Sequence, residues 1–499
     1  MNKLVRIRRV FQLFFLVLFV FILWSTTYPL TGVIPAQTFF KTDPLLMAMT
    51  ALGERTWLPG LTAALLMLGL ALLAGRFFCG WICPLGTLMD VAARLMRRSG
   101  WGWSVATRRL RIAKFGLLAA VLVTALAGIQ TAWVLDPMVI TGRFVSLNLI
   151  PAATRGLDAA FVFLMTSLQM RETLIDVYHW LQGTLLGIPA RFFSHSIFVF
   201  GTTFVVLGTV VLASRFWCRC VCPLGALYAF FARAARVRRY VDVCKHCTLC
   251  VSRCRMGAIR PDMSYDKGEC ILCMDCVYDC PQHMTRFGIR ARVRQPVAPA
   301  GSGLSRRGFL ALLALSLFAA GRRAFAARGR WTGVIRPPAA LPEAAFLGRC
   351  VRCGNCMKVC PTGFLQPLVL EQGPENLWTP HAVPEVGYCE YLCVLCGEVC
   401  PTGAIRRLTV EQKRRTRLGL AAVDRTICLP WASGQECRVC EEHCPVPEKA
   451  IKVDLRPGAA GRLIGAPLVD QNMCIGCGIC QNKCPVRPER AIRVYPLPE

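Results

Sequence analysis

Apolar residues gather into four long runs within the first 213 positions and then give way to short, interrupted stretches. Residues 10–30, 58–78, 115–135 and 197–213 each approach the roughly 20 apolar residues needed to cross a hydrocarbon core. The pattern predicts four membrane spans followed by domains outside the bilayer. Lys3, Arg6, Arg8 and Arg9 precede the first run, and Arg94, Arg97, Arg98, Arg108, Arg109, Arg111 and Lys114 separate the second from the third. Basic flanks of this kind face the cytoplasm. The segments after the first and third runs set Arg143, Arg155, Arg171 and Arg191 against Asp136, Asp158, Glu172 and Asp176, and are expected to be periplasmic.

A repeat lies at the ends of the second and fourth runs. Arg76-Phe77-Phe78-Cys79-Gly80-Trp81-Ile82-Cys83-Pro84-Leu85-Gly86 echoes Arg215-Phe216-Trp217-Cys218-Arg219-Cys220-Val221-Cys222-Pro223-Leu224-Gly225. The membrane half then reads as two similar helix pairs. In a continuous helix Cys79 and Cys83 share one face, as do Cys218 and Cys222, so a two-fold arrangement would gather four thiols at the membrane surface. The alternative is that they are small buried residues marking helix ends, with each proline stopping its helix.

Composition changes the picture through its cysteines. With 29 Cys, 54% hydrophobic residues and a net charge of +30, the chain reads as a metal-carrying membrane protein. The basic residues lie beside apolar runs rather than in aromatic-interleaved patches, so no nucleic-acid partner is expected. Disulfide bonding is excluded by the spacing. Cys244, Cys247, Cys250 and Cys254 are followed by Cys270, Cys273, Cys276 and Cys280, the spacing of a two-cluster bacterial ferredoxin. Three cysteines of each loop hold one 4Fe-4S cube and the fourth reaches the neighbouring cube, which pairs Cys280 with the first loop and Cys254 with the second. Zinc sites would favour separated two-cysteine pairs.

Four further groups follow: Cys350, Cys353, Cys356, Cys360; Cys389, Cys393, Cys396, Cys400; Cys428, Cys437, Cys440, Cys444; and Cys474, Cys477, Cys480, Cys484. All end in Cys-Pro. The second has one extra residue and the third a long insertion, and first-with-second or first-with-fourth exchange of the last cysteine both fit. Six groups predict six 4Fe-4S clusters on 24 cysteines, with iron as the metal throughout. No His lies in an apolar run and no Cys-x-x-Cys-His occurs, so haem is not expected; the absence of Gly-x-Gly-x-x-Gly gives no ground for nicotinamide or flavin.

Between the groups, Ser305-Arg306-Arg307-Gly308-Phe309-Leu310 opens an apolar run that leads to Ala324-Phe325-Ala326. This reads as an internal twin-arginine export signal with a small-x-small cleavage site, rather than a basic linker and short anchor. The fold class is therefore multi-domain: an α-helical membrane bundle of four spans (1–240), an α+β two-cluster ferredoxin module in the cytoplasm (241–300), a signal and linker (301–335) and a periplasmic four-cluster ferredoxin-type domain (336–499).

On these motifs, residues 1 to about 290 resemble the NapH family of membrane quinol dehydrogenase components. The chain from about 301 resembles its NapG (NapG/MauM) partner, as in a natural fusion of the two. The resemblance implies a multi-pass protein of the bacterial inner membrane that oxidises quinol and passes electrons through 4Fe-4S clusters to a periplasmic acceptor, a cytochrome or a reductase of the nitrate type. It also implies membrane lipid and the twin-arginine export machinery as partners, and catalytic roles for Cys79, Cys83, Cys218 and Cys222. The alternative is a redox-sensing, maturation or metal-reducing accessory protein for a periplasmic reductase.

Overall fold

The computed structural model describes residues 3–28, 30, 34–54, 60–96, 110–167, 171–183, 193, 195–241, 244, 247–282, 284–289, 333–457 and 463–497. The twin-arginine pair Arg306 and Arg307 and the cleavage site lie outside the described residues, as do Arg97, Arg98, Arg108 and Arg109.

The N-terminal half is a bundle of helices: α1 (Lys3–Ser25), α2 (Pro44–Glu54), α3 (Leu61–Ala74), α4 (Pro84–Leu95), α5 (Ala113–Leu126), α6 (Pro137–Phe144), α7 (Ile150–Ser167), α8 (Ser196–Gly208) and α9 (Pro223–Ala232). Among the described residues two helices are long and apolar enough to cross a membrane: Lys3–Ser25 and Pro137–Ser167, the latter joining α6 to α7 through a π-turn at Val145–Leu149. This corrects the expectation of four spans. The described residues of the apolar runs at 58–78, 115–135 and 197–213 form shorter helices. The 14 residues each of α3 and α5 rise only about 21 Å, against a hydrocarbon thickness near 30 Å. The physical cause is local: α3 ends at Gly75, whose φ of 69° turns the chain so that Arg76 points inward, and α5 ends before Gly128. The second long helix falls where charge balance alone suggested a periplasmic loop.

One stripe of α1 is buried through Val5, Arg8, Gln12, Phe19 and Leu23, while Val10, Leu13, Phe14, Val17 and Phe21 on the other side are exposed. Leu66 on α3 and Ile197 and Val205 on α8 are likewise exposed. An apolar outer surface of this extent is what lipid, rather than water, would cover.

The cysteine-rich segments are small α+β units. β1 (Arg238–Val241) pairs antiparallel with β2 (Thr285–Gly288), Arg238 opposite Gly288 and Val241 opposite Thr285, closing the Cys244–Cys280 segment at its two ends. In the C-terminal part β3 (Leu365–Pro367) pairs with β4 (Pro380–Ala382), β5 (Gly419–Val423) with β8 (Ile492–Pro496), and β6 (Ile451–Pro457) with β7 (Leu463–Val469), all antiparallel. The two cysteine-rich units meet opposite ends of α1. Arg8 reaches Asp275 at 3.5 Å, whereas Lys358 donates to the carbonyl of Leu23 and, at 2.8 Å, to that of Thr26. The 15 residues between Arg8 and Leu23 correspond to roughly 22 Å of helix.

Candidate functional site

In the C-terminal part the structure gathers sixteen cysteines into four sets, each around its own small cavity. Cys350, Cys353 and Cys356 are joined by Cys400, and Cys389, Cys393 and Cys396 by Cys360. Cys428, Cys437 and Cys440 are joined by Cys484, and Cys474, Cys477 and Cys480 by Cys444. The exchange is thus first-with-second and third-with-fourth, a choice the spacings left open. Each Cys-Pro cysteine sits past a short helix, one turn beyond its own loop, and faces the neighbouring cavity.

The loops show why the spacing matters. In Cys350–Cys356, Arg352 and Gly354 take positive φ of 54° and 86°; Gly476 and Gly478 do the same in Cys474–Cys480 at 67° and 82°, and Leu272 and Met274 in Cys270–Cys276 at 51° and 61°. Two left-handed residues curl each loop so that its three thiols face inward. Where the spacing is longer the pattern changes: Val394 and Arg438, in the second and third C-terminal groups, have φ of −123° and −118°.

Burial pushes the thiols of Cys353, Cys389 and Cys440 up to about 12 and that of Cys477 up to about 11. Such thiols hold their protons at neutral pH until a metal displaces them. Among the described residues no three His, Cys, Asp or Glu side chains converge closely enough for a single ion. Four thiols spread around a cavity suit a cube instead. Backbone amides turned toward sulfur, such as Ala421 N–H to Cys474 Sγ at 3.4 Å, supply the hydrogen bonds that tune such a group.

In the middle unit Cys254 joins Cys270, Cys273 and Cys276 around one centre, with Tyr265 beside them. Cys254 Sγ accepts from Ala258 N–H at 3.2 Å and Cys270 Sγ from Leu272 N–H at 3.4 Å. Cys244, Cys247 and Cys250 come together nearby, with Arg239 donating to Cys250 Sγ at 3.5 Å. Cys280 lies at the start of the turn into β2, close to the backbone of Thr285.

The repeated motifs of the helical half are not continuous helices. Cys79 lies in a five-residue helix, Phe77–Trp81, and Cys83 caps α4; Cys218 lies in Phe216–Cys220 and Cys222 caps α9. Pro84 and Pro223 open the next helix, at the position where a missing N–H costs nothing. All four thiols are buried and near enough for their charges to interact. Cys220 is buried beside them in the Phe216–Cys220 helix, and no role follows for it.

Two buried arginines, whose part the sequence reading missed, lock the pair of motifs. Arg76 donates to the carbonyl of Cys218 at 3.4 Å, and Arg215 to that of Cys79 at 2.7 Å, each reaching across to the other half of the repeat. Arg76 and Lys114 share Glu269, while Arg215 and Arg255 share Asp90, and Arg255 and Arg8 share Asp275. Five cations face three carboxylates, so the thiols sit in an electropositive surround. The middle unit presses directly on this site: Trp81 Nε1 donates to Leu272 O at 3.1 Å, and a Cβ on Gly80 would stand 2.0 Å from Ile271 O. A second missed repeat is Asp43-Pro44 and Asp136-Pro137. Each aspartate caps its helix, Asp43 on Leu45 N–H at 2.9 Å and Asp136 on Met138 N–H at 2.8 Å, and the two fully buried carboxyl groups meet. The signal was legible as a duplicated Asp-Pro.

Comparison with known proteins agrees with this division. The 4Fe-4S binding domain family matches residues 56–101 and 195–241, which include both repeated motifs, and a second 4Fe-4S binding domain family matches 347–366 and 467–488. No solved structure matches the chain. The methylamine utilization ferredoxin-type protein MauM of Methylorubrum extorquens is 36% identical over 197 residues, 39% of this chain and 86% of that protein. The ferredoxin-type protein NapG of Escherichia coli is 37% identical over 174 residues, 34% of this chain and 73% of that protein. The regulatory protein NosR of Pseudomonas aeruginosa is 28% identical over 242 residues, 48% of this chain but 26% of that protein. Four cysteine-lined cavities and a match across most of the length of MauM and NapG lead to one conclusion: the chain belongs to the NapG/MauM family of ferredoxin-type proteins and is an iron–sulfur electron-transfer protein.

Proposed function

We propose that the protein is a membrane quinol dehydrogenase component that oxidises quinol and passes electrons, through six 4Fe-4S clusters, to a periplasmic reductase system of the nitrate type. The observation that carries this reading is the attachment of two cysteine-rich units to opposite ends of one long apolar helix, α1. In this reading residues 241–300 lie in the cytoplasm and 336–499 in the periplasm, the latter exported by way of Arg306 and Arg307. The 4Fe-4S groups supply one-electron chemistry when bound, which suits division of the electron pair of a quinol. The residues of the chain do the rest: the loops hold thiolates in place, burial excludes water, and amides and guanidinium groups set the local charge. Cys79, Cys83, Cys218 and Cys222 would hold an anionic redox group, since Arg76 and Arg215 donate to their backbone from a buried network in which cations outnumber the carboxylates they share.

The test is anaerobic oxidation of menadiol by membranes containing the full chain, with reduction of the iron–sulfur chromophores followed by visible and EPR spectroscopy. Cys79→Ser or Cys222→Ser is expected to stop this reduction while the C-terminal spectra remain. A wild-type protein with all clusters present that menadiol never reduces would refute the reading. A second reading, a redox-sensing or maturation accessory, draws support from the relative named as a regulatory protein; it predicts that inert outcome.

A further inference from the structure

We infer that electrons enter the C-terminal domain through the set Cys350, Cys353, Cys356 and Cys400 and leave it from the set Cys428, Cys437, Cys440 and Cys484. The inference rests on the electron-carrier reading above and adds direction to it.

The first set lies against the helical half, and the contact is reciprocal. Arg143 of α6 lies over the ring of Trp378 at 4.1 Å, while Arg352, inside the first cysteine loop, lies over Trp133 of the helical half at 3.8 Å. The two rings meet edge to face at 5.6 Å, and Arg143 Nε donates to the carbonyl of Arg352 at 2.9 Å. Stacking of this kind is strongest where water is excluded, and Arg143 is only 2% exposed. Around it, Lys358 holds the last carbonyls of α1, Arg349 pairs with Glu54 at 2.8 Å, and Ser146 meets Asn355 at 3.3 Å. Apart from Trp378, these partners from the C-terminal side fall between Arg349 and Lys358, the stretch that carries Cys350, Cys353 and Cys356. A contact this specific holds one thiol set at a fixed distance from the helical half.

From there the sets form a line. The first and second exchange Cys360 and Cys400. The second touches the fourth, because Cys389 N–H donates to Cys477 O at 2.8 Å. The fourth and third exchange Cys444 and Cys484. The third set therefore stands at the far end, and its long insertion leaves Ser433, Gln435, Glu436, Arg438 and His443 exposed around Cys437. Oxidation of one quinol to quinone releases two electrons and two protons. The protons would pass to water, and a 4Fe-4S group held by Cys350, Cys353, Cys356 and Cys400 beside the Arg143–Trp378 contact would accept the electrons one at a time.

The experiment compares the extent of reduction by menadiol with that by dithionite, read by low-temperature EPR on the full chain. Cys350→Ser should leave the second, third and fourth C-terminal sets reducible by dithionite and lower their reduction by menadiol at least tenfold. Cys437→Ser should leave menadiol reduction of the first, second and fourth sets intact. If Cys350→Ser disturbs iron binding elsewhere, Arg143→Gln with Trp378→Ala removes the contact and no thiol, and the same tenfold loss is expected. Full menadiol reduction of the C-terminal sets in either first-set or contact variant, or its loss in Cys437→Ser, overturns the inference. Absence of menadiol reduction in the unaltered protein would instead strike the quinol reading, so the two failures are distinguishable.

Discussion

Replacement of Arg215 by Met tests whether the crossed arginines hold the two halves of the repeat together. Arg215 is fully buried, binds both oxygens of Asp90 at 2.8 and 2.7 Å, and donates to Cys79 O at 2.7 Å. Met matches the length of the stem but supplies no charge and no donor. Removing one partner of a buried ion pair costs about 3–5 kcal/mol, because the other charge is stranded. Asp90 keeps Arg255 at 3.1 Å and Gln12 at 3.1 Å, so the loss should fall at the lower end, about 3 kcal/mol. Arg76→Met should cost less, about 1–2 kcal/mol, because Glu269 retains Lys114 at 2.7 Å. Adding Asp90→Leu to Arg215→Met should recover about 2 kcal/mol of the summed single losses. Urea unfolding of the detergent-solubilised chain, followed by tryptophan fluorescence next to the site at Trp217, gives these numbers. A loss below about 1 kcal/mol for Arg215→Met, or simple additivity with Asp90→Leu, would refute the coupling.

Anaerobic iron and sulfide analysis should find about 24 of each per chain if all six groups are filled; half that amount, or stoichiometric zinc, would count against them. Arg306→Lys with Arg307→Lys should leave residues 336–499 protected from protease in spheroplasts while the helical half still inserts, whereas continued exposure would dismiss the export signal. Gly476→Ala should lower iron content by the share of one cube and destabilise the C-terminal domain by about 3 kcal/mol. Its φ is 67° and a Cβ would stand 2.4 Å from the backbone of Gly419, so an iron content equal to that of the unaltered protein would contradict the loop geometry.

Much of the local chemistry was legible in the sequence because cysteine ligation is a short-range code. A loop with two residues between thiols has few ways to turn them inward, and Cys-Pro places the fourth thiol about one helical turn on. The spacing therefore carried the family and the cofactor class. Pairing of the last four groups was not local: it depends on which loops pack together, and the Cys389–Cys477 contact spans 88 positions. Hydropathy located the apolar segments but misjudged their number and extent as spans. A run of apolar residues does not record where Gly75 turns the chain, or that Asp136-Pro137 starts a long helix in a segment that looked charge-balanced. The buried arginines tell the same story. As sequence, Arg76 and Arg215 are only the opening residues of a repeated motif; tertiary packing, which supplies Glu269 and Asp90 from distant segments, makes burial of a guanidinium affordable and turns that motif into a crossed pair around four thiols.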